Sequence, residues 1–81
     1  MKVTVKLFAI FREAAGAAEA PLEVQEGTTA SDVWDELTEK YPRLRPYTRS
    51  AAFAINGRHV HPGAPLCEGD VVAFLPPVSG G

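Results

Sequence analysis

At 81 residues, with eight Lys or Arg against ten Asp or Glu and a formal net charge of −2, the chain holds one small domain and no basic footprint for nucleic acid. Its one cysteine, Cys67, excludes an intramolecular disulfide and any cysteine-only metal or iron–sulfur site. No apolar run approaches bilayer length and no charged-then-apolar leader opens the sequence, so a soluble cytoplasmic protein with no membrane partner is expected. The first element is a strand: Val3, Val5 and Leu7 alternate with Lys2, Thr4, Lys6 and Phe8. Phe8 falls on the face that otherwise carries lysines and threonine, which points to an exposed aromatic ring. Phe11 to Gly16 reads as one or two helical turns, with Gly16 as the stop.

Leu22 and Val24 alternate with Glu23 and Gln25 and predict a second strand ending at Glu26-Gly27, able to pair antiparallel with the first. The strongest local signal follows. Thr29 precedes Asp32 by three residues, the spacing of a capping box, and Ala30, Val33, Trp34, Leu37 and Tyr41 then recur at helical spacing as one buried stripe. Acids at the start and Lys40 at the end suit the helix dipole, and Pro42 stops the helix. Trp34 and Tyr41 are read as core rather than as a ligand-stacking pair.

Arg43 to Ser50 has no clear period and reads as a connector. Ala51 to Ile55 predicts a third strand, Asn56-Gly57 a tight turn, and Val60 a short returning strand. His59 and His61 share a side but lack a third ligand, so they are read as exposed turn residues rather than a metal site. Glu68-Gly69-Asp70 is another turn. Val71 to Leu75 is the last strand, with Val72 and Phe74 on one face and Val71, Ala73 and Leu75 on the other. Cys67 has no base or resolving thiol beside it and is assigned a structural role.

Strand, short helix, strand, long helix and then strands to the end is the order of an α+β, β-grasp (ubiquitin-like) fold: a five-stranded mixed sheet curled around one main helix. The first and last strands are expected side by side at its centre. A ferredoxin-like sandwich would need a second full-length helix. The domain is placed at residues 1–75, followed by a tail at 76–81. Charge is also ordered along the chain: every charged side chain from Glu13 to Glu39 is acidic, and every one from Lys40 to Arg58 is basic. That pattern gives either solvated faces or a surface that orients a complementary partner.

The end of the sequence is Pro76-Pro77-Val78-Ser79-Gly80-Gly81. Proline fixes φ and biases its predecessor toward extended backbone, so Leu75-Pro76-Pro77 leaves the sheet as a stiff arm. Six extended residues span roughly 20 Å. The glycine pair adds no bulk and fits a narrow channel, and it fits equally a frayed end or an expression scar. Val78 is a candidate side-chain anchor along such a channel.

Phe8-Ala9 through Arg12-Glu13, Pro65 to Asp70, and above all Val72 to Gly81 together resemble the small subunit of molybdopterin synthase, a ubiquitin-like sulfur carrier. The resemblance runs the length of the chain. It implies that an adenylating, E1-like enzyme uses ATP to activate the carboxylate of Gly81. Sulfur from a donor such as a cysteine desulfurase then displaces AMP and leaves a thiocarboxylate. It further implies that the tail enters the large catalytic subunit of the synthase, in a heterotetramer, where two deliveries convert a cyclic pyranopterin monophosphate to the dithiolene of molybdopterin. No cofactor or metal would be bound permanently, and the catalytic acids and bases would belong to the partner. The hydrophobic contact positions of the family match Phe8 and Leu75, a family arginine matches Arg12, and Val60 is a weaker match that also suits the core. Pro76, Pro77, Val78, Ser79 and Gly80 complete the implied partner-binding set. The family often has phenylalanine where this chain has Leu75, which implies a smaller contact. Carriers for thiamine, cysteine or tRNA thiolation, and ubiquitin-like protein modifiers, are the alternatives.

Overall fold

A computed structural model describes residues 1–77. Its elements are β1 (Lys2–Leu7), α1 (Ile10–Ala15), β2 (Glu19–Glu23), α2 (Ala30–Lys40), a 3-10 helix (Pro42–Tyr47), β3 (Ala52–Ile55), β4 (Arg58–Val60) and β5 (Val71–Leu75). The five strands form one mixed sheet in the order β2-β1-β5-β3-β4. β1 and β5 are parallel neighbours, with Val5 opposite Val72 and Leu7 opposite Phe74, and the other pairs are antiparallel. The β-grasp arrangement expected from element order is therefore the observed one.

Alternation decides which face is covered. Val3, Val5, Leu7, Phe53, Val72 and Phe74 point to the helix side and are buried. Trp34 is the hub of that side, with ring centroids 5.2 Å from Phe11, 5.3 Å from Phe74 and 6.1 Å from Phe53. Phe53 meets Phe74 edge-on at 5.1 Å. The Trp34 indole N–H donates to Thr48 Oγ1 at 3.0 Å, so that ring is buried without an orphaned donor. Trp34 is core, as its helical spacing indicates. Tyr41 sits at the C-cap of α2, partly buried against the core.

The capping box at the start of α2 is complete: Asp32 N–H donates to Thr29 Oγ1 at 3.1 Å, and Thr29 N–H donates to Asp32 Oδ2 at 3.0 Å. The loop before β5 finishes the job. Ala30 N–H and Ser31 N–H donate to the carbonyls of Ala64 and Pro62, which satisfies helix-start donors that have no partner within the helix.

Two segments differ from the sequence expectation. β2 begins at Glu19, three residues before Leu22, and ends at Glu23. Inward parity is as expected, with Ala20 opposite Val5 and Leu22 opposite Val3. The extra residues are Glu, Ala and Pro, which carry no strand signature and are recruited by the exposed edge of β1. The connector after α2 is ordered as a 3-10 helix with Pro42 in its first turn, and it drives Leu44 to complete burial. Two prolines remove donors that an α-helix would need, while a short 3-10 segment tolerates them.

Candidate functional site

The face of the sheet away from α2 has no element packed over it among the described residues. On it stand Lys2, Thr4 and Lys6 from β1, Val71, Ala73 and Leu75 from β5, and Ala52 and Ala54 from β3. Charge is confined to one side. Lys2 lies opposite Glu23 and Lys6 opposite Glu19, whereas the β5–β3 half is aliphatic. Ala54, between Ala73 and His59, is buried although it faces outward.

Leu75 ends β5, half-buried, on the outer face, with Ala52 opposite it. The chain then continues through half-buried Pro76 and exposed Pro77. Because Leu7 pairs in parallel with Phe74, Phe8 leaves β1 at the same end of the sheet at which Leu75 leaves β5. Phe8 is 43% exposed. The expected apolar patch at the root of the tail thus has both its members at that edge. Val78, Ser79, Gly80 and Gly81, the remaining tail positions inferred from sequence, lie outside the described residues.

Arg12 is exposed on α1, just beyond this edge. Val60 is placed differently. It pairs with Phe53, which faces Trp34, and it packs partly against the core. The pairing puts Val60 on the helix side of the sheet, the opposite face from Leu75.

The strand that carries the tail is clasped at its start. Asp70 accepts from Cys67 N–H at 2.7 Å and from Asn56 Nδ2 at 2.8 Å, while Asn56 Oδ1 accepts from Val71 N–H at 2.9 Å. On the other side Gly69 N–H donates to the Lys2 carbonyl, and Thr4 N–H donates to that of Asp70. β5 is therefore fixed to both neighbours before it runs to Leu75. This accounts for the Pro65-to-Asp70 stretch, whose Gly69 at φ 83 takes a backbone that side chains rarely adopt. Cys67 is exposed, with its backbone rather than its thiol in the clasp.

Sequence reading missed one feature at the tail-root edge. Ala9 has φ 52 and ψ −126, and Phe11 N–H donates to the Phe8 carbonyl at 3.0 Å. These are the marks of a type II′ turn at the position glycine normally fills, and alanine there costs on the order of 1–3 kcal/mol. Beyond the turn Ile10 is 41% exposed. No local pattern signals either feature, because alanine does not mark a glycine-type turn and neighbouring helix positions can both be buried, as Val33 and Trp34 are.

Among the described residues no group of three or more His, Cys, Asp or Glu side chains stands where it could share a metal ion. His61 Nδ1 accepts from Gly63 N–H, and His59 is exposed on β4. A cavity of about 140 Å³ between β2 and α2, lined by Val5, Ala20, Leu22, Leu37 and Tyr41, lies on the other face of the sheet. No helix among the described residues is long and apolar enough to cross a membrane. The arrangement presents a rigid strand end, an apolar patch and the base of an arm.

Comparison with known proteins agrees with that geometry. The molybdopterin synthase sulfur carrier subunit of Mycobacterium tuberculosis is 40% identical over 84 residues, spanning 100% of this chain and 99% of the relative. Among solved structures, a putative molybdopterin converting factor, subunit 1, from Pyrococcus furiosus superposes with a TM-score of 0.84 at 35% identity, covering 96% of this chain and 99% of that one. Small archaeal modifier protein 1 from Methanosarcina acetivorans superposes with a TM-score of 0.81 at 36% identity, covering 99% and 96%. The family model for ThiS matches residues 5–81, from within β1 through the terminal glycine pair, and the chain belongs to the ThiS family.

Proposed function

We propose that this chain is the sulfur-carrying small subunit of a molybdopterin synthase, with Gly81 as the carrier residue. The observation that carries the reading is the course of β5. Its buried residues, Val72 and Phe74, tie the central strand into the core, and its last residue, Leu75, opens directly onto Pro76-Pro77 beside exposed Phe8. A protein that must push its own C-terminus into a partner needs this combination of a fixed root and a slender end. The full-length likeness to the mycobacterial carrier subunit supports the synthase as the recipient.

The chemistry follows from the terminus. An α-carboxylate is anionic at neutral pH and a poor electrophile, so it must be activated before sulfur can enter. In an E1-like activating enzyme the Gly81 carboxylate oxygen attacks the α-phosphorus of ATP, and pyrophosphate leaves. A persulfide sulfur, supplied by a donor such as a cysteine desulfurase, attacks the acyl carbon of the adenylate, AMP departs, and a thiol reductant cleaves the resulting acyl disulfide, being oxidised to a disulfide as the thiocarboxylate is released. The resulting thiocarboxylate enters the large subunit, gives its sulfur to the pterin precursor, and water returns Gly81 to the carboxylate. Two such deliveries complete a dithiolene in a cytoplasmic heterotetramer. ATP serves only the activating enzyme, and this chain binds no resident cofactor. Its contribution is binding and positioning: Phe8, Leu75 and Arg12 against the partner, and Pro76 to Gly80 along the channel. A stiff base lowers the conformational entropy lost when the arm inserts.

The likeness to an archaeal protein named as a modifier favours one second reading, in which activated Gly81 is transferred to a lysine amine of a target protein. The two separate cleanly. With the activating enzyme, ATP and a sulfur source, a carrier gains a sulfur-for-oxygen exchange at Gly81 and delivers it to the large subunit. A modifier instead forms isopeptide-linked conjugates. Conjugates without any sulfur gain would exclude the carrier reading. Capture of a thiamine, cysteine or tRNA-thiolation enzyme in place of the large subunit would redirect the cargo.

A further inference from the structure

Ala20 stands on the helix side of β2, opposite Val5, yet it is exposed where Val5 is buried. The cause is the placement of α2. Its Trp34 packs against Phe74 of β5 and Phe53 of β3, and the helix leaves the outermost strand, β2, incompletely roofed. Between that strand and the end of α2 lies the cavity of about 140 Å³. Val5 and Leu22 line it from the sheet, Leu37 and Tyr41 line it from the helix, and Ala17 and Ala20 are too small to fill it. Protein interiors are packed to the density of organic crystals, and a domain this small has little stability in reserve. A void kept open by two alanines therefore calls for an occupant.

We propose that this cavity is a binding site for a small, neutral, apolar molecule with a single ring, of the size of benzene or toluene. Volume sets the size, because an apolar cavity of roughly 150 Å³ is enough to hold benzene. Charge sets the class. The mouth carries Glu36 and Lys40, one turn apart on α2, and Glu19, which lies opposite Lys6. These charges compensate in pairs, so neither a cation nor an anion gains from them. A charged group would also lose hydration against the aliphatic walls. Water in such a cleft finds few polar partners, and an apolar ring that displaces it gains free energy. The site is on the helix side of the sheet, the opposite face from Leu75, and it stands whether or not the chain serves a synthase.

The test is titration of the full chain with toluene, up to its solubility limit, followed on the backbone amides by two-dimensional NMR. Benzylamine and benzoate serve as charged counterparts of the same ring. Toluene is expected to give saturable shifts centred on Ala20, Leu22, Leu37 and Tyr41. Benzylamine and benzoate are expected to bind at least about fivefold more weakly. Ala20→Leu and Ala17→Leu, which fill the cavity from β2 and from the loop before it, are each expected to weaken toluene binding roughly tenfold or more without lowering the melting temperature. Because the two leucines enter from different segments, a folding defect in one leaves the other to decide. Toluene that produces no saturable shift overturns the site. Undiminished binding in the folded leucine variants places toluene elsewhere and overturns it as well. Benzylamine or benzoate bound as tightly as toluene overturns the assigned class of ligand.

Discussion

Leu7 and Phe74 face each other across the parallel pair at the centre of the sheet, and each is the last inward-facing residue of its strand. Phe74 is completely buried against Trp34 and Phe53 and stands one residue before Leu75, so the tail is rooted in the best-packed part of the molecule. Removing that ring should unseat both core and tail. Phe74→Ala is expected to cost about 3–5 kcal/mol, a large share of the stability of so small a domain. Urea denaturation measures it, and a loss under about 1 kcal/mol would contradict the packing described.

The helix cap makes a smaller, separable contribution. Thr29→Ala removes the acceptor for Asp32 N–H and is expected to cost about 1 kcal/mol, with Thr29→Ser close to neutral. The site is at the far end of α2 from its Tyr41 cap. A melting curve for each variant checks the prediction, and equal losses for Ser and Ala would show that the hydroxyl bond is not the source.

Asn56 has two roles that two substitutions divide. Its φ of 51, followed by Gly57 at 82, builds the β3–β4 turn, and its side chain joins Asp70 and Val71 N–H. Asn56→Gly keeps the turn and loses the side-chain bonds. Asn56→Ala loses both and is expected to cost roughly 1–2 kcal/mol more, the price of a left-handed backbone for a β-carbon. If the two variants unfold at the same urea concentration, the turn conformation contributes nothing.

Stiffness at the base of the arm is testable apart from stability. Replacing Pro76 and Pro77 together by glycine leaves the sheet intact and frees the chain before insertion. Each proline-for-flexible exchange is worth about 0.4–1 kcal/mol, so the pair should weaken large-subunit binding by roughly three- to thirtyfold at an unchanged melting temperature. An unchanged affinity would remove the prolines from the docking account.

Much of this was legible in the sequence because the strong signals are local. Thr29 to Asp32 names a helix start, Asn56-Gly57 names a turn, and alternation in β1 and β5 assigns faces without knowledge of their partners. Where tertiary packing decides, sequence was silent or shifted. Leu44 is buried by a 3-10 segment whose prolines read as a break, and β2 extends back over residues that only an available edge makes into strand. Val60, read as a weak partner match that also suits the core, pairs with Phe53 and is turned toward the helix side, where it packs partly against the core. Ala9 was hidden because alanine gives no sign of a glycine-type turn, and only the burial of Leu7 and Phe11 on either side of it imposes one.

The most direct test of the carrier role is the mass of the C-terminal peptide after incubation with the cognate activating enzyme, ATP and a sulfur source. The role predicts a sulfur-for-oxygen gain on Gly81, lost again when the large subunit and the pterin precursor are added. A Gly81 that stays a plain carboxylate throughout would contradict it.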